Sequence, residues 1–244
     1  MSQYQRKDSY YSKAKSEGFR SRAAFKLIEL NKRFKLIKSS DSVVDLGCWP
    51  GGWLQVAAGL VGSNGCVVGV DLVPVEPLRK HEFKSSNYVE PTLIVGDILD
   101  PSTISKISQA AKGSVDVVLS DMSPKLSGIR LRDTAMTEEL VEIAFMSCPK
   151  MLKNGGSFVC KTFPSAELDE VFKRHKSWFE KLTRVTLDSS RKTSKEYYII
   201  GRNFSRQTAL SSLSDGVGLS DEGAEFAENE ITIDSAAALW DPFK

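Results

Sequence analysis

Four ionisable residues stand where solvated charges are not the rule. Lys161 sits in the apolar run FVCKTF, Asp121 closes DVVLSD, Glu196 opens the apolar stretch of KEYYII, and Lys26 interrupts the apolar face of AAFKLIEL. Singly, some have ordinary readings: Lys26 can run its stem along a helix and hold its ammonium in water, and Glu196 can start a strand facing solvent. Asp121 and Lys161, at the ends of apolar runs, are harder to explain that way. Two lysines with two carboxylates make a group suited to proton transfer. A lysine accepts a proton only when neutral, a form favoured by burial or a second ammonium nearby. Such a base could take the proton of a weakly acidic hydroxyl while a new bond forms at its oxygen.

A partner for that chemistry is suggested by VVDLGCWPGGW, residues 43–53. A β-branched run breaks at Asp45 and becomes a loop of Gly47, Pro50, Gly51 and Gly52, the pattern of a strand ending on a ligand-bearing turn. Asp71 closes the next apolar run, about twenty residues past the glycines, where an acid meets the ribose hydroxyls of a nucleotide laid over the first strand-to-helix loop. Asp97 follows the third run and could accept from an adenine amine. A dinucleotide would share these features. The pyrophosphate fingerprint, however, wants G-x-G-x-x-G, whereas Trp49 takes the middle glycine's place and Pro50 has no N–H to offer. Asp45 would also repel a pyrophosphate and attract a cation. S-adenosylmethionine, with adenosine, a sulfonium, an amino-acid end and no phosphate, fits better. The plain alternative is a tight turn without a ligand, which makes three well-spaced acids a coincidence. Cys48 and Trp49 are expected to narrow the donor pocket or to pack under the loop.

The elements that must position these residues follow a β-α-β-α rhythm. SRAAFKLIELNKRF (21–34) places Leu27, Leu30 and Phe34 at helical spacing. Short apolar runs then recur at 42–46, 66–70, 92–95, 116–120, 157–163 and 196–200, separated by helical stretches such as 138–151 and 166–179. Most of the runs show little alternation, so the strands are expected to be covered on both faces. The pattern implies a mainly parallel sheet, with ligands beyond the carboxyl ends of its strands.

The formal charge of +2 hides an asymmetry. Residues 1–40 carry eleven Lys/Arg against three acids, with Tyr4, Tyr10, Tyr11 and Phe19 among them, a composition suited to phosphate attraction and base stacking. From Ser205 onward there are eight acids against two bases, and large apolar residues are few. Three segments are therefore expected: a basic arm and helix facing RNA (1–40), an α/β core (41–204), and an acidic, disordered tail (205–244). No run approaches the roughly 18 apolar residues of a membrane span, and the polar N-terminus has no signal-like apolar stretch, so a soluble, non-secreted protein is expected. Cys48, Cys66, Cys148 and Cys160 are far apart without a CxxC pair, so free thiols and no metal site are expected.

With DSYYSKAKSEGFRSRAAFKL, VVDLGCWPGGWLQV, LSDMSPKLSG, GGSFVCKTF and DSSRKTSKEYYII, the chain closely resembles the FtsJ/RrmJ-type ribosomal RNA 2′-O-methyltransferases over roughly residues 8–203. The resemblance implies a Rossmann-like S-adenosylmethionine-dependent methyltransferase fold, a mostly parallel seven-stranded sheet with helices on both faces. It places the family's Lys-Asp-Lys-Glu tetrad on Lys26, Asp121, Lys161 and Glu196. Lys161 would be the proton acceptor, Asp121 would support it and line the donor pocket, and Lys26 and Glu196 would orient the target ribose. Donor contacts would fall on Gly51, Trp53, Asp71, Asp97, Ile98 and Asp121, with Gly47 shaping the loop. The implied substrate is a uridine of large-subunit rRNA, and relatives acting on tRNA anticodon loops or mRNA caps share the tetrad. A monomer in the cytoplasm, or in an organellar matrix if the chain is a processed form, is the matching expectation. A non-catalytic RNA-binding assembly factor is the competing class. Cys48-Trp49 departs from the small residues usual in the donor loop, and the 73–92 connection is long.

Overall fold

The computed structural model describes residues 9–124, 127–191 and 194–216. Two short helices, α1 (Ser9–Ser16) and α2 (Ala23–Phe34), precede an alternating series. It runs β1 (Ser42–Leu46), α3 (Gly52–Val61), β2 (Cys66–Asp71), β3 (Thr92–Val95), α4 (Pro101–Ala111), β4 (Val115–Ser120), α5 (Arg130–Met151), β5 (Leu152–Thr162), α6 (Ala166–Arg174), β6 (Phe179–Val185), β7 (Tyr197–Phe204) and α7 (Arg206–Gly216). The strands form one seven-stranded sheet in the order β3-β2-β1-β4-β5-β7-β6. β7 alone runs antiparallel to its neighbours.

The expectation of strands covered on both faces holds in the centre of the sheet. Val43, Val44, Asp45 and Leu46 are consecutively buried in β1, as are Val67 to Val70 in β2, with Gly69 among them. Consecutive β-branched residues suit such strands because each face meets an apolar layer. Helices begin where short polar side chains satisfy free amides: Asp100 accepts from Ser102 N ahead of Pro101 in α4, and Ser165 accepts from Leu168 N in α6. α2 ends on Lys35 in the left-handed conformation.

This topology fixes where a ligand can sit. From β1 the chain steps outward to β2 and β3, then returns to lay β4 on the other side of β1. The order reverses between β1 and β4, so their carboxyl ends diverge into a crevice, the place where open α/β sheets bind ligands.

The structure departs from the sequence expectations at the ends of elements. The helix expected over 166–179 stops at Arg174; a 3₁₀ turn follows, and Phe179 begins β6, a strand whose scattered burial carries no clear alternation. α5 starts eight residues before the expected Glu138, and β5 starts at Leu152 rather than 157. The helix expected within residues 1–40 is α2, and it is part of the core: its Ala24, Leu27 and Leu30 lie within a buried hydrophobic cluster. Nor is everything from 205 unstructured. α7 occupies 206–216, where Arg206 donates to the Leu152 carbonyl at 3.1 Å and Ala209 is fully buried. The chain divides into a unit of residues 1–209 and a second from Leu210, and most of the acidic tail, 217–244, lies outside the described residues, as do residues 1–8 of the arm.

Candidate active site

The crevice floor is the loop after β1. Gly47 N and Cys48 N donate to the Val70 carbonyl, which ties the loop to the end of β2. Gly47 has φ 73°, and a Cβ there would fall 2.6 Å from the Met122 side chain. This is the close approach that requires glycine, and it brings the residue after Asp121 against the loop. Gly51, at φ 108°, makes the turn into α3. The carboxylate of Asp71 accepts from Trp49 N (2.8 Å) and Val73 N (3.0 Å), so it organises the loop as well as facing it. Gly96 N reaches back to the Asp71 carbonyl, which brings Asp97 and Ile98 to the exit of β3 beside the end of β2. Asp97 accepts from Leu99 N.

Asp45 is 0% exposed, and neither of its carboxylate oxygens has a hydrogen-bond partner. Burial, reinforced by the nearby Asp121 and Asp71, pushes its carboxyl well above the usual range. A buried carboxylate without a partner is costly, so this group awaits a cation or a donor N–H. It lines a pocket shared with Ser21, Gly47, Trp49, Trp53 and Asp121. Those surroundings fit the amino-acid end of S-adenosylmethionine and oppose a pyrophosphate.

The tetrad assembles on the other side of the crevice. Asp121 follows β4, and Cys160, next to Lys161 on β5, pairs in register with Ser120. Lys161 Nζ lies 3.1 Å from Asp121 Oδ1 and donates to the Asp121 carbonyl at 2.7 Å, so two of its protons meet one residue. Lys26 Nζ and Glu196 Oε1 are 2.6 Å apart, both largely buried. Burial works against the charge of Glu196, but the Lys26 ammonium and the Ser190 hydroxyl outweigh it and hold the carboxyl below its ordinary range. Lys26 therefore does not extend into water, and Glu196 does not face solvent.

Tyr198, which the sequence analysis did not single out, joins the two pairs. It stands opposite Lys161 in the β5–β7 register, donates its hydroxyl to Asp121 Oδ1 at 3.3 Å, and lies under Lys26 Nζ, 5.7 Å from the ring centroid. Burial, with Asp121 and Glu196 nearby, raises its phenol well above the usual value, so it stays a neutral donor. Its place two residues after Glu196, on the same strand face, was the signal available in the sequence.

Arg20 was also missed. Its guanidinium makes a two-pronged contact with Glu82 at 2.7 and 2.9 Å and also donates to the carbonyls of Pro50 and Pro77. It clamps the long 73–92 connection to the donor loop, and this pairing holds the Glu82 carboxyl low. Trp53 is a core residue whose indole N–H already bonds Ala23 O, so only its face and backbone are available to a donor. Cys48 packs under the loop as expected, while Trp49 does not, being 61% exposed. All four cysteines are free. Among the described residues no group of three or more His, Cys, Asp or Glu is placed to hold a metal ion, and no helix is long and apolar enough to cross a membrane.

A sheet in this order, with its crevice between β1 and β4, is the Rossmann-like architecture of methyltransferases. A solved Plasmodium falciparum protein provisionally assigned as a ribosomal RNA methyltransferase shares the fold, with a TM-score of 0.64 at 23% identity over 76% of this chain and 98% of that one. Residues 19–204 match the FtsJ-like methyltransferase family, and the chain belongs to it. Among its relatives, a protein of Methanothermobacter thermautotrophicus is 42% identical over 82% of this chain and 90% of its own, and one of Archaeoglobus fulgidus is 43% identical over 82% and 97%. Both are called ribosomal RNA large subunit methyltransferase E.

Proposed function

We propose that the protein transfers a methyl group from S-adenosylmethionine to a ribose 2′-hydroxyl of large-subunit rRNA. The observation that carries the reading is the double placement of Asp121, which lines the pocket containing the orphaned Asp45 and also holds Lys161 through both its carboxylate and its carbonyl. Donor and base thus converge on one residue.

When bound, S-adenosylmethionine supplies an activated methyl on a sulfonium. Asp45 would pair with the cationic amino-acid end, Asp71 would accept from ribose hydroxyls beside its bonds to Trp49 N and Val73 N, and Asp97 with Ile98 would hold the adenine. Gly47, Gly51 and the face of Trp53 shape the floor. Lys26 and Glu196 hold each other rigidly and orient the acceptor ribose. Lys161 takes the proton of the 2′-hydroxyl as its oxygen forms the new bond, and Asp121 and Tyr198 fix the lysine's position. Among nucleic acids only RNA carries a 2′-hydroxyl, and the basic composition of residues 1–40 suits a phosphate backbone. The names of the relatives support rRNA over tRNA or caps, and the intact tetrad argues against a non-catalytic assembly factor.

The test is to supply labelled S-adenosylmethionine with large-subunit rRNA, ribosomal subunits, tRNA and capped mRNA, then digest to nucleosides. Label is expected in a 2′-O-methylnucleoside from large-subunit rRNA and absent with Lys161→Ala. Label on a base instead of a ribose would overturn the reading.

A further inference from the structure

We infer that the exposed indole of Trp49 is an RNA-binding surface, a platform on which an unstacked base of the acceptor strand rests while its neighbour is methylated. The inference rests on the proposed RNA substrate and adds a contact to it. Three observations converge on it.

The first is orientation. Consecutive residues of the loop part company: Cys48 is buried under it in the core cluster, while Trp49 is 61% exposed. The backbone beneath the indole is not loose, because Trp49 N is held at 2.8 Å by the Asp71 carboxylate. A fixed backbone with an uncovered ring is preorganised for a flat partner.

The second is that the ring has no internal task. Among the described residues no ring stacks on it and no cation lies over it, whereas Trp53 and Trp178 are both buried in aromatic contacts. Leu72 and Val73 are also exposed, at 53% and 52%, and Val73 N binds the same Asp71 carboxylate. The backbones of Trp49 and Val73 thus meet on one carboxylate, and each carries an uncovered apolar side chain.

The third is location. Trp49 lines the pocket that also contains Ser21, Asp45 and Asp121. The ring therefore stands at the edge of the pocket assigned to the donor's amino-acid end and shares its lining with Asp121, the residue that holds Lys161. The donor's groups are already matched from below, by Asp45, Asp71 and Asp97, so the outward ring is left for the acceptor strand. Stacking on an aromatic ring is tolerant of base identity, because every base has a flat face.

The experiment compares wild type, Trp49→Phe and Trp49→Ala in two measurements. One is steady-state methylation of rRNA. The other is binding of a single-stranded RNA, in the presence of S-adenosylhomocysteine, by fluorescence anisotropy, alongside calorimetry of S-adenosylhomocysteine alone. Loss of one base stack is expected to weaken RNA binding and raise KM for RNA on the order of tenfold in Trp49→Ala, with the larger change in KM rather than kcat. Trp49→Phe is expected to recover most of the loss, and the affinity for S-adenosylhomocysteine to change less than the affinity for RNA in both. RNA affinity equal to wild type in Trp49→Ala, or a fall in S-adenosylhomocysteine affinity as large as that in RNA affinity, would overturn the assignment, the latter showing that the ring serves the donor and not the RNA. A wild-type protein that binds RNA without methylating it would sink the proposed activity and leave the stacking result readable through anisotropy.

Discussion

The two sides of the crevice are built on different plans. On the donor side the work falls to the backbone and one continuous segment: Gly47, Cys48 and Trp49 are held by the Val70 carbonyl and the Asp71 carboxylate, and Asp45 is kept as an unpaired acid beneath them. On the acceptor side it falls to side chains from four separate segments, already satisfied by one another as Lys161–Asp121 and Lys26–Glu196. The donor side is incomplete without a ligand, and the acceptor side is complete without one. An unpaired buried acid trades stability for affinity, whereas a closed network of ion pairs trades affinity for rigid placement of the group that must act.

Substitutions should separate the two plans. The largest effect is expected from Lys161→Ala, which removes the proposed base and should lower kcat by about 10²- to 10⁴-fold while calorimetry still finds wild-type affinity for S-adenosylhomocysteine. Loss of that affinity would mean the two sides are not independent.

Asp45→Asn should do the reverse. It should weaken S-adenosylhomocysteine binding on the order of 30- to 1,000-fold, as expected for truncating a buried charged partner. Unlike a typical buried substitution it should not lower the melting temperature of the free protein. Because the folded carboxyl titrates above its unfolded value, the folded protein holds a proton that the unfolded chain releases, and wild-type stability from this group falls as pH rises above the ordinary carboxylate range. Melting curves of Asp45→Asn should lack that component. A variant less stable than wild type at neutral pH would show that Asp45 has a partner inside the fold.

Glu196→Gln leaves the Lys26 ammonium buried without a counter-charge and should reduce kcat/KM for RNA by roughly 10- to 100-fold, with loss of stability. The sign of its pH dependence is opposite to that of Asp45. The carboxyl is held low in the folded state, so its contribution is full above its ordinary value and disappears as pH falls through the lowered one. The gap in melting temperature between wild type and Glu196→Gln should therefore narrow as pH falls through the acid range; a gap that stays constant would contradict the pairing. The smallest effect is expected from Tyr198→Phe, which removes one hydrogen bond to Asp121 worth about 0.5–1.5 kcal/mol and should slow methylation by several-fold to about tenfold. An unchanged pH–rate profile in that variant would show the hydroxyl is not coupled to the base.

The difference between the two plans also explains what could be read without a structure. The donor loop is contiguous, so Asp45, Gly47 and Gly51 announce themselves as a strand running into glycines, and Asp71 and Asp97 as acids at the ends of successive apolar runs. Lys26, Asp121, Lys161 and Glu196 were conspicuous as charges in apolar company, but their pairing was not. Tyr198 was hidden because a tyrosine in an apolar strand looks like core, which it also is. Arg20 was hidden among basic neighbours, where nothing local distinguishes a guanidinium that grips Glu82 from one in water. β6 was missed because an edge strand is partly solvated and loses the pattern that marks central strands.

The sequence by itself determined the alternation of elements and marked out the glycine loop and four ionisable residues in apolar company, because these depend on local periodicity and on residue types out of keeping with their surroundings. The tertiary structure alone decided that Lys26 and Glu196 close on each other as a buried pair, that Asp45 is left without a partner, and that Cys48 turns inward while Trp49 turns out. Those outcomes follow from strand order and register, which bring residues far apart in the chain within 3 Å of each other.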